Sequence, residues 1–471
     1  MDRSTIAAVA TPEGIGGIGI IKVSGPKAMD LADAVFRRGP GSDDGNGNGS
    51  PGLFSGEFQS WRMYFGRICE PATGRILDEV VLAVMRAPHS YTREDVVEIQ
   101  AHAGPKVLQN ILDLLISQGA RPADPGEFTR RAFVNGRIDL TQAEAVADLI
   151  NATSDAAVDM AVSQISGGLR SYLESIRQAL LSVLTTLEAA IDFPDAVDED
   201  IDTGVQIGIL QDAVLDPVRD LIQGYEAGHF LRDGLQAVIA GGPNVGKSSL
   251  MNRLVNRNRA IVTEMPGTTR DCIEAALINR GVPVVLADTA GLREDPDPVE
   301  RLGIEMTREY LESADIVLFV VDAGCPARPE DLRLFAGLGD KRVILVVNKS
   351  DLADPDRRFE LPVQWAQVPC VHVSALYGTG IDELKDRIAD ISLYSKYPPN
   401  RRFIPNWRQK TLLDQVYRAV SDAVSGFTGQ GAFELMSIDL REALTCLDEI
   451  TGHYAAPDVL DRIFSQHCIG K

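Results

Sequence analysis

The chain has 471 residues, of which 46 are Lys or Arg and 67 are Asp or Glu, so its formal net charge at pH 7 is −21. This acidity excludes a protein that covers nucleic acid through bulk electrostatic attraction, because such binding needs many Lys and Arg side chains against phosphates. With 45% hydrophobic and 24% charged residues, the composition is typical of a soluble globular protein, and the length suggests about three domains.

Targeting and redox features favour the cytoplasm. The start, MDRSTIAAVA, has no basic segment followed by an apolar one, so we expect no secretory signal. The apolar runs are far shorter than a membrane span, which predicts no membrane partner. No two of the six cysteines form a C-x-x-C pair, so neither a zinc site nor a disulfide framework is indicated.

Residues 1–121 mix predicted strands with a helix. The runs Ile20–Val23 and Val80–Met85 are short, apolar and β-branched, which favours strands. Apolar residues at helical spacing predict a helix over Pro105–Ser117. We expect this region to form the first domain.

Residues 122–233 are predicted to be the first part of a helical domain. Thr141 and Glu144 have the spacing of a capping box, which predicts a helix start there. Apolar residues recur every three or four positions from Ile165 to Ile191, which predicts one long amphipathic helix. Gly167 and Gly168 are expected to weaken that helix.

Residues 234–391 change character, and the helical pattern returns only at residue 392. Apolar runs alternate with helical stretches in this part, which predicts a parallel α/β sheet. The predicted strands are Leu235–Ala240, Val284–Ala287, Ile316–Val321, Val343–Val347 and Val371–Val373. Helices are predicted again at Asn406–Ser425 and Phe433–Thr451. We therefore expect an α/β domain inserted into a helical domain whose second part spans residues 392–471.

The segment Gly241–Ser248 has the form G-x-x-x-x-G-K-[ST] between a predicted strand and a predicted helix. Its glycines let backbone amides curl around phosphate oxygens, and the helix N-terminus favours negative charge. Lys247 is expected to bind the terminal phosphates and the Ser248 hydroxyl to bind Mg²⁺. This context predicts a phosphate-binding loop.

Three later motifs follow predicted strands and indicate guanine rather than adenine. Asp288-Thr-Ala-Gly291 suits a water-mediated magnesium contact and an amide for the γ-phosphate. In Asn348-Lys-Ser-Asp351, the final carboxylate can accept two hydrogen bonds from guanine that adenine cannot offer. Ser374-Ala375 suits a backbone amide donated to the guanine oxygen. We predict GTP binding.

The catalytic residues of hydrolysis are harder to choose from spacing. Thr269, in a predicted switch segment, is placed to complete the magnesium shell. Leu292 occupies the position where Ras-type GTPases have a water-orienting glutamine. The carbonyl oxygen of the Asn244 side chain suits a monovalent cation beside the phosphates, or shapes the turn only. The acidic residues that compete as the water-positioning carboxylate are Glu294, Asp295, Asp297 and Glu300.

Segments along the whole chain, the GTP motifs among them, resemble one family of GTPases. They include ATPEGIGGIGIIKVSG, PGEFTRRAFVNGRIDLTQAEAVADLI, GGPNVGKSS, GTTRD, DTAGLRE, NKSD and the terminal FSQHCIGK. With these segments the chain is similar to the MnmE (TrmE) family of tRNA-modification GTPases. The resemblance implies an α+β N-terminal domain that binds folate and dimerises, a discontinuous α-helical domain, and an inserted Ras-like P-loop G domain.

The resemblance also implies an activity and partners. Family members act with a flavin-dependent partner, MnmG (GidA), in a heterotetramer or a larger assembly. Together they add an aminomethyl or carboxymethylaminomethyl group to C5 of the wobble uridine of certain tRNAs. The one-carbon unit comes from a 5-formyl- or methylene-tetrahydrofolate. The main alternative is a ribosome-assembly GTPase switch, against which the single G domain and the acidic charge argue.

The family's site residues map onto positions of this sequence. The potassium ligands implied are Asn244, Thr263, Met265 and Thr268, and the water-positioning glutamate is Glu300. Cys468 matches the proposed modification cysteine of the terminal C-x-G-K. The folate residues implied are Lys22, Glu98, Arg137 and Lys471, with Lys22 in place of an Arg and Arg137 in place of a Lys. The expected GTP contacts are Asn244, Val245, Gly246, Lys247, Ser248, Ser249, Thr263, Thr268, Thr269, Asp288, Thr289, Ala290, Gly291, Asn348, Lys349, Asp351, Ser374 and Ala375.

Overall fold

A computed structural model gives the fold, and it divides the chain into two compact units. One contains residues 1–147 and 447–471, and the other contains residues 148–446. The structure describes residues 4–12, 14–38, 58–192, 202–256, 274–279, 282–288, 314–339, 341–352, 361–394, 403–429, 431–454, 456–465, 467 and 470. Within these ranges, no helix is both long enough and apolar enough to cross a membrane.

A seven-stranded sheet, counted over the described ranges, forms the centre of the first unit. Its order is β3-β4-β5-β6-β2-β1-β7, antiparallel except for the β1–β7 pair. The strands are β1 (Ile6–Val9), β2 (Ile18–Ser24), β3 (Phe36–Arg38), β4 (Arg62–Cys69), β5 (Ile76–Met85), β6 (Val96–His102) and β7 (Arg121–Pro122). Both predicted strands of this region are confirmed, and each is longer than its apolar run.

Two helices pack on the sheet of the first unit. They are α1 (Ala28–Val35) and α2 (Pro105–Ser117), and the predicted limits of α2 are confirmed. Leu108, Ile111 and Leu115 of α2 are buried in the same core as Ile21 and Ile99 of the sheet. The apolar stripe of α2 therefore packs with α1 against one face of the sheet.

Three further helices belong wholly or mainly to this unit: α3 (Glu127–Val134), α4 (Leu140–Asn151) and α14 (Pro457–Ser465). The predicted capping box at Thr141 and Glu144 is wrong. The reciprocal pair is Asp139 and Gln142, because Gln142 N donates to Asp139 Oδ1 (2.8 Å) and Asp139 N donates to Gln142 Oε1 (3.0 Å). The helix begins at Leu140, so the capping residue is the one directly before it.

The second unit contains the predicted parallel sheet. Its order over the described strands is β13-β12-β11-β8-β10-β9. The strands are β8 (Leu235–Ala240), β9 (Glu274–Asn279), β10 (Val282–Asp288), β11 (Ile316–Asp322), β12 (Val343–Asn348) and β13 (Cys370–His372). The five predicted strands are confirmed and parallel, but β9 was missed and pairs antiparallel with β10 at the edge. Its Glu274-Ala-Ala start lacks the β-branched residues that made the others recognisable.

The helices of this unit divide between the sheet and a helical part. Beside the sheet lie α9 (Lys247–Asn256), α10 (Pro329–Ala336) and α11 (Ile381–Tyr394). The helical part contains α5 (Asp155–Ile165), α6 (Gly168–Asp192), α7 (Thr203–Leu210), α8 (Asp216–Asp233), α12 (Trp407–Thr428) and most of α13 (Phe433–Thr451). The predicted helices at Asn406–Ser425 and Phe433–Thr451 are confirmed.

The predicted long helix from Ile165 to Ile191 is confirmed as α6, except that α6 begins at Gly168 and Ile165 ends the preceding helix α5. The break falls at Gly167, whose φ of +85° lies in the left-handed region that ends a helix. The apolar stripe itself is confirmed within α6, where Leu169, Leu173, Ile176 and Leu180 are buried.

Candidate functional site

The phosphate-binding loop joins the end of β8 to the start of α9. Gly241 (φ +146°) and Gly246 (φ +96°) adopt backbone conformations that favour glycine. A Cβ at Gly241 would clash with the carbonyl of Val320, and one at Gly246 would clash with the side-chain amide of Asn348. Both glycines are therefore required by the close approach of neighbouring strand ends.

Lys247 lies within the curve of this loop. Its ammonium donates to the carbonyl oxygens of Gly241 (3.0 Å) and Gly242 (2.8 Å), and only 9% of the residue is exposed. Phosphate oxygens at the same place would accept these donors as charge-assisted hydrogen bonds. The loop and its lysine therefore fit a nucleotide phosphate.

Asn348 connects the phosphate loop to the loop that follows β13. It ends β12 and is 1% exposed. Its Nδ2 donates to Val245 O (2.9 Å), and its Oδ1 accepts from Ala375 N (3.1 Å). The carboxyl ends of parallel strands meet at this edge of the sheet, which brings together motifs that are far apart in sequence.

The predicted guanine-reading residues lie together at the same edge. Ser374 Oγ donates to Asp351 Oδ1 (2.5 Å), and Asp351 is exposed. Arg253 of α9 donates to Ala375 O (2.8 Å), so it supports the turn whose amide was predicted to meet guanine. Arg253 was missed by sequence reasoning, because nothing local links an arginine on one helix to a loop 122 residues away.

Lys349 bridges the guanine side and the phosphate loop. Its Nζ donates to Asn244 O (2.8 Å) and to Asp322 Oδ2 (2.7 Å). Lys349 and Asn244 both have φ of +62°, which non-glycine residues rarely adopt. Asp322, which ends β11 and pairs in register with Asn348 on β12, was also missed. Its position after an apolar strand was the available signal.

The pKa of Asp322 lies below its usual value. Burial alone disfavours the charged carboxylate, but the hydrogen bond from Lys349 and that from the Gly324 amide outweigh burial and hold the pKa down. Asp322 is therefore ionised beside Lys349 throughout the physiological range.

Only part of the predicted metal and switch set lies within the described residues. Val245 is buried in the loop, Ser248 and Ser249 are exposed in the first turn of α9, and Asp288 ends β10 beside β8. Asn244 is the one predicted potassium ligand that is described. The predicted residues outside the described ranges are Thr263, Met265, Thr268, Thr269, Thr289, Ala290, Gly291 and Glu300.

Two of the four candidate folate residues lie against one tyrosine of the first unit, and a third pairs with one of them. Lys22 and Glu98 are opposite each other on β2 and β6, with Nζ and Oε1 3.9 Å apart. The Lys22 ammonium lies 5.5 Å from the centroids of the Tyr91 and Phe128 rings. The Arg137 guanidinium lies 4.6 Å from the Tyr91 ring, and its Nη1 donates to Tyr91 O (3.2 Å).

Tyr91 itself is held by α3. Its hydroxyl is hydrogen bonded to Thr129 Oγ1 (3.0 Å), and burial raises its pKa, which keeps the phenol neutral. Tyr91 was missed by sequence reasoning. Two cations beside one aromatic ring suit a flat, acidic ligand.

The start of α3 is fixed by Glu127, an 8%-exposed carboxylate. It accepts from Arg131 Nη2 (2.9 Å), Asp124 N (2.9 Å) and Arg121 Nη2. Burial alone would raise the pKa of Glu127, but these hydrogen bonds and the arginine charges lower it overall. The network holds the helix that carries Phe128 and Thr129.

The C-terminal segment packs back on the first unit. His467 is 5% exposed, with its ring nitrogens 3.1 Å from Ile463 O and 3.0 Å from Ala143 O. Gly470 is buried, and a Cβ there would lie 2.7 Å from Ala10 Cα, directly after β1. A cleft of about 1100 Å³ opens nearby, with Glu94, Arg131 and Phe464 in its wall. Cys468 and Lys471 lie outside the described residues.

Comparisons with known proteins cover the whole chain. The family model described as GTP-binding protein TrmE N-terminus matches residues 5–137, and that described as MnmE helical domain matches residues 140–468. Among solved structures, the G domain of the T. maritima FeoB iron transporter is 30% identical over 34% of this chain and 98% of that chain, with a TM-score of 0.27. That score is too low to support an argument here.

Relatives that align over the whole chain identify its family. The tRNA modification GTPase MnmE of Geotalea uraniireducens is 44% identical over 477 residues, which is 100% of this chain and 99% of that protein. The proteins of the same name from Acetivibrio thermocellus and Natranaerobius thermophilus are 40% and 42% identical, and each alignment also covers 100% of this chain. With the predicted fold class confirmed as well, the chain belongs to the MnmE family of tRNA modification GTPases.

Proposed function

We propose that this chain hydrolyses GTP and that the hydrolysis serves the modification of the wobble uridine of certain tRNAs. The observation that carries the proposal is the buried Asn348 side chain, which joins the phosphate loop at Val245 to the guanine-reading loop at Ala375. This link sets the spacing between the two ends of a guanine nucleotide before any ligand arrives, which reduces the cost of ordering the site on binding.

Different residues of the chain bind the phosphates and the base of the nucleotide. Lys247 and the loop amides bind the phosphates, Asp351 accepts from guanine, and the Ala375 amide donates to the guanine oxygen. Ser248 and Thr269, with Asp288 through water, would hold Mg²⁺, which would supply positive charge against the phosphates. Water attacks the γ-phosphorus and the bond to the β-phosphate oxygen breaks, which gives GDP and phosphate.

Potassium would replace the missing arginine finger. Leu292 cannot orient water, so the charge and the positioning must come from elsewhere. We assign the ion to Asn244, Thr263, Met265 and Thr268, and the water to Glu300. The left-handed backbone of Asn244, fixed by Lys349 at its carbonyl, supports this because it leaves the side-chain amide free of that contact.

A tetrahydrofolate derivative would bind in the first unit at Lys22, Glu98, Arg137 and Lys471. Support comes from the two cations around the Tyr91 ring and from Gly470, which brings the end of the chain to β1, the neighbour of β2. The cations suit the glutamate carboxylates of a folate, and the ring suits its flat bicycle. Cys468 would act on the one-carbon unit beside it.

A homodimer is supported by an exposed apolar face on the same sheet. Met63 and Phe65 on β4, and Trp61 directly before it, are 63%, 59% and 70% exposed. By strand register Met63 and Phe65 lie on the face that carries Lys22 and Glu98. Apolar patches of this kind commonly mark interfaces. A MnmG-like flavoprotein, in a heterotetramer or a larger assembly, and tRNA complete the proposed set of partners.

The test is nucleoside analysis of total tRNA from cells that lack this chain. Rescue is compared for wild type, Cys468→Ser and Glu300→Ala, with Cys325→Ser, at an exposed cysteine, and Glu294→Ala as matched controls. We expect wild type and both controls to restore the modified uridine and the two site variants to fail. Unchanged tRNA together with unjoined ribosomal subunits would instead favour an assembly switch.

A further inference from the structure

Asp322 lies between the phosphate loop and the guanine-reading motif and belongs to neither of them. It ends β11, between β8 with the phosphate loop and β12 with Asn348. Its carboxylate accepts from Lys349 Nζ at 2.7 Å and from the Gly324 amide at 2.9 Å. The hydrogen bond from the Gly324 amide holds the carboxylate in place at the end of β11. Lys349 therefore pairs with a rigid partner.

Lys349 transmits that position to the phosphate loop. Its ammonium is shared between Asp322 and the carbonyl of Asn244, 2.8 Å away. A lysine side chain has many rotamers, and holding it in one of them costs entropy. The carboxylate of Asp322 offsets this cost, and a charge-assisted hydrogen bond of this kind is about twice as strong as a neutral one.

Two unusual backbone conformations depend on this link. Asn244 and Lys349 both have φ of +62°, and each such residue needs surrounding contacts to hold it. Asn244 flanks the phosphates, and Lys349 lies two residues before the guanine-reading Asp351. The distance between the phosphate end and the base end of the site is therefore set by a chain from Asp322 through Lys349 to Asn244.

We propose that Asp322 is a positioning residue for nucleotide retention, acting through Lys349 on the phosphate loop. This inference rests on the proposed GTP binding and adds to it a residue outside the GTP motifs. Asp322 touches no nucleotide in this role. Substitution of Asp322 weakens the binding of the phosphate end and of the base end of the nucleotide alike. The choice of base still depends on Asp351.

Release of a fluorescent GDP from the full chain, measured by stopped flow in Na⁺ and Mg²⁺ buffer, tests the proposal. Asp322→Asn should speed release about tenfold, since one charge-assisted hydrogen bond is lost. The GDP-to-IDP preference should not change. Glu330→Gln, an exposed carboxylate of the following helix, removes equal charge without contacting Lys349 and should release at the wild-type rate.

A double-mutant cycle separates positioning from a general structural role. If Asp322 acts through Lys349, Asp322→Asn adds little in the Lys349→Met background. The inference is overturned if Asp322→Asn releases GDP at the wild-type rate. It is also overturned if the effects of Asp322→Asn and Lys349→Met on the release rate multiply in the double variant. Should Asp322→Asn fail to fold, wild-type release from Lys349→Met overturns it as well. A wild-type chain that binds no guanine nucleotide refutes the proposed function and this inference together.

Discussion

The nucleotide site and the candidate folate site are assembled in different ways. The nucleotide site takes short motifs from consecutive parallel strand ends, and buried Asn348 links them. The folate site takes single residues from an antiparallel sheet and the α3–α4 turn, and they meet only because strand register and Tyr91 bring them together. The nucleotide site could therefore be predicted from the spacing of its motifs, whereas the folate residues were predicted only through the family resemblance.

The largest effect is expected at Asp351, whose role a motif alone predicts. Asp351→Asn should lower GTP affinity about 100-fold or more, because two hydrogen bonds to guanine are lost and unmatched donors remain. Xanthosine triphosphate should gain affinity, since its 2-oxygen accepts from the new amide. Nucleotide titration measures both, and ITP is the internal control because it lacks the exocyclic amine. Unchanged GTP affinity would contradict the assignment.

Asn348 tests whether the nucleotide site is built before ligand binds. Asn348→Ala should cost about 3 kcal/mol of unfolding free energy without nucleotide, because Val245 O and Ala375 N lose their buried partner. Thermal or urea unfolding of the second unit measures this cost. Asn252→Ala, at an exposed position of α9, should change stability by less than about 0.5 kcal/mol. Equal losses of unfolding free energy for Asn348→Ala and Asn252→Ala would contradict the structural role of Asn348.

Glu127 tests the support under the folate site. Glu127→Gln should cost about 2 kcal/mol at pH 7, because Arg121 and Arg131 lose a buried charged partner. The folded pKa is lowered, so the stabilisation is present above the unfolded value of about 4.3 and is lost as pH falls through the folded pKa. The difference between wild type and variant should therefore shrink below about pH 4.

Glu79→Gln is the control for that prediction. Glu79 pairs with Arg67 at 2.9 Å, but its side chain is 50% exposed, and surface pairs contribute about 0–1 kcal/mol. Unfolding followed across the pH range should show a small difference for Glu79→Gln and a large one for Glu127→Gln. A pH-independent difference at Glu127 would mean that the carboxylate charge is not what stabilises α3.

The smallest effect is expected at Arg137. Arg137→Lys removes the stacking on Tyr91 and one donor to Tyr91 O, yet keeps the charge, so folate affinity should fall about fivefold or less. Isothermal titration with a tetrahydrofolate derivative measures the change. Arg130→Lys makes the same substitution on α3, where Arg130 pairs with Asp461, and should leave affinity unaltered. An equal fall in folate affinity for Arg130→Lys would mean that the contact of Arg137 with Tyr91 does not determine folate binding.

Most of the fold could be predicted because local patterns dictated it. The five apolar runs of the second sheet are buried strands, and the limits of α2 follow from Pro105 at its start and the apolar spacing after it. The failures have local causes too. Gly167 separates Ile165, the first residue of the predicted stripe, from the helix that carries the rest of it, and Asp139 rather than Thr141 caps α4. Edge strand β9 begins Glu274-Ala-Ala, without the β-branched residues that made the other strands recognisable.

The site residues that sequence reasoning missed act through other residues. Asp322, Arg253 and Tyr91 each contact a predicted residue across a long stretch of chain. Nothing near Arg253 or Tyr91 in the sequence indicates their partners, whereas Asp322 follows an apolar strand as the motif residues do but belongs to none of the motifs. The nucleotide motifs within the described residues could be predicted because each begins at or just after the end of β8, β10, β12 or β13, where the topology of a parallel sheet fixes its neighbours.

The packing of Gly470 against Val9 and Ala10 has a consequence for how the molecule is made. About 460 residues separate these contacts, and at roughly 5–20 residues per second synthesis of that interval takes on the order of a minute. Until then the end of β1 lacks this cover. Nascent chains that have not yet reached residue 470 should therefore expose a surface at the end of β1 that longer chains hide.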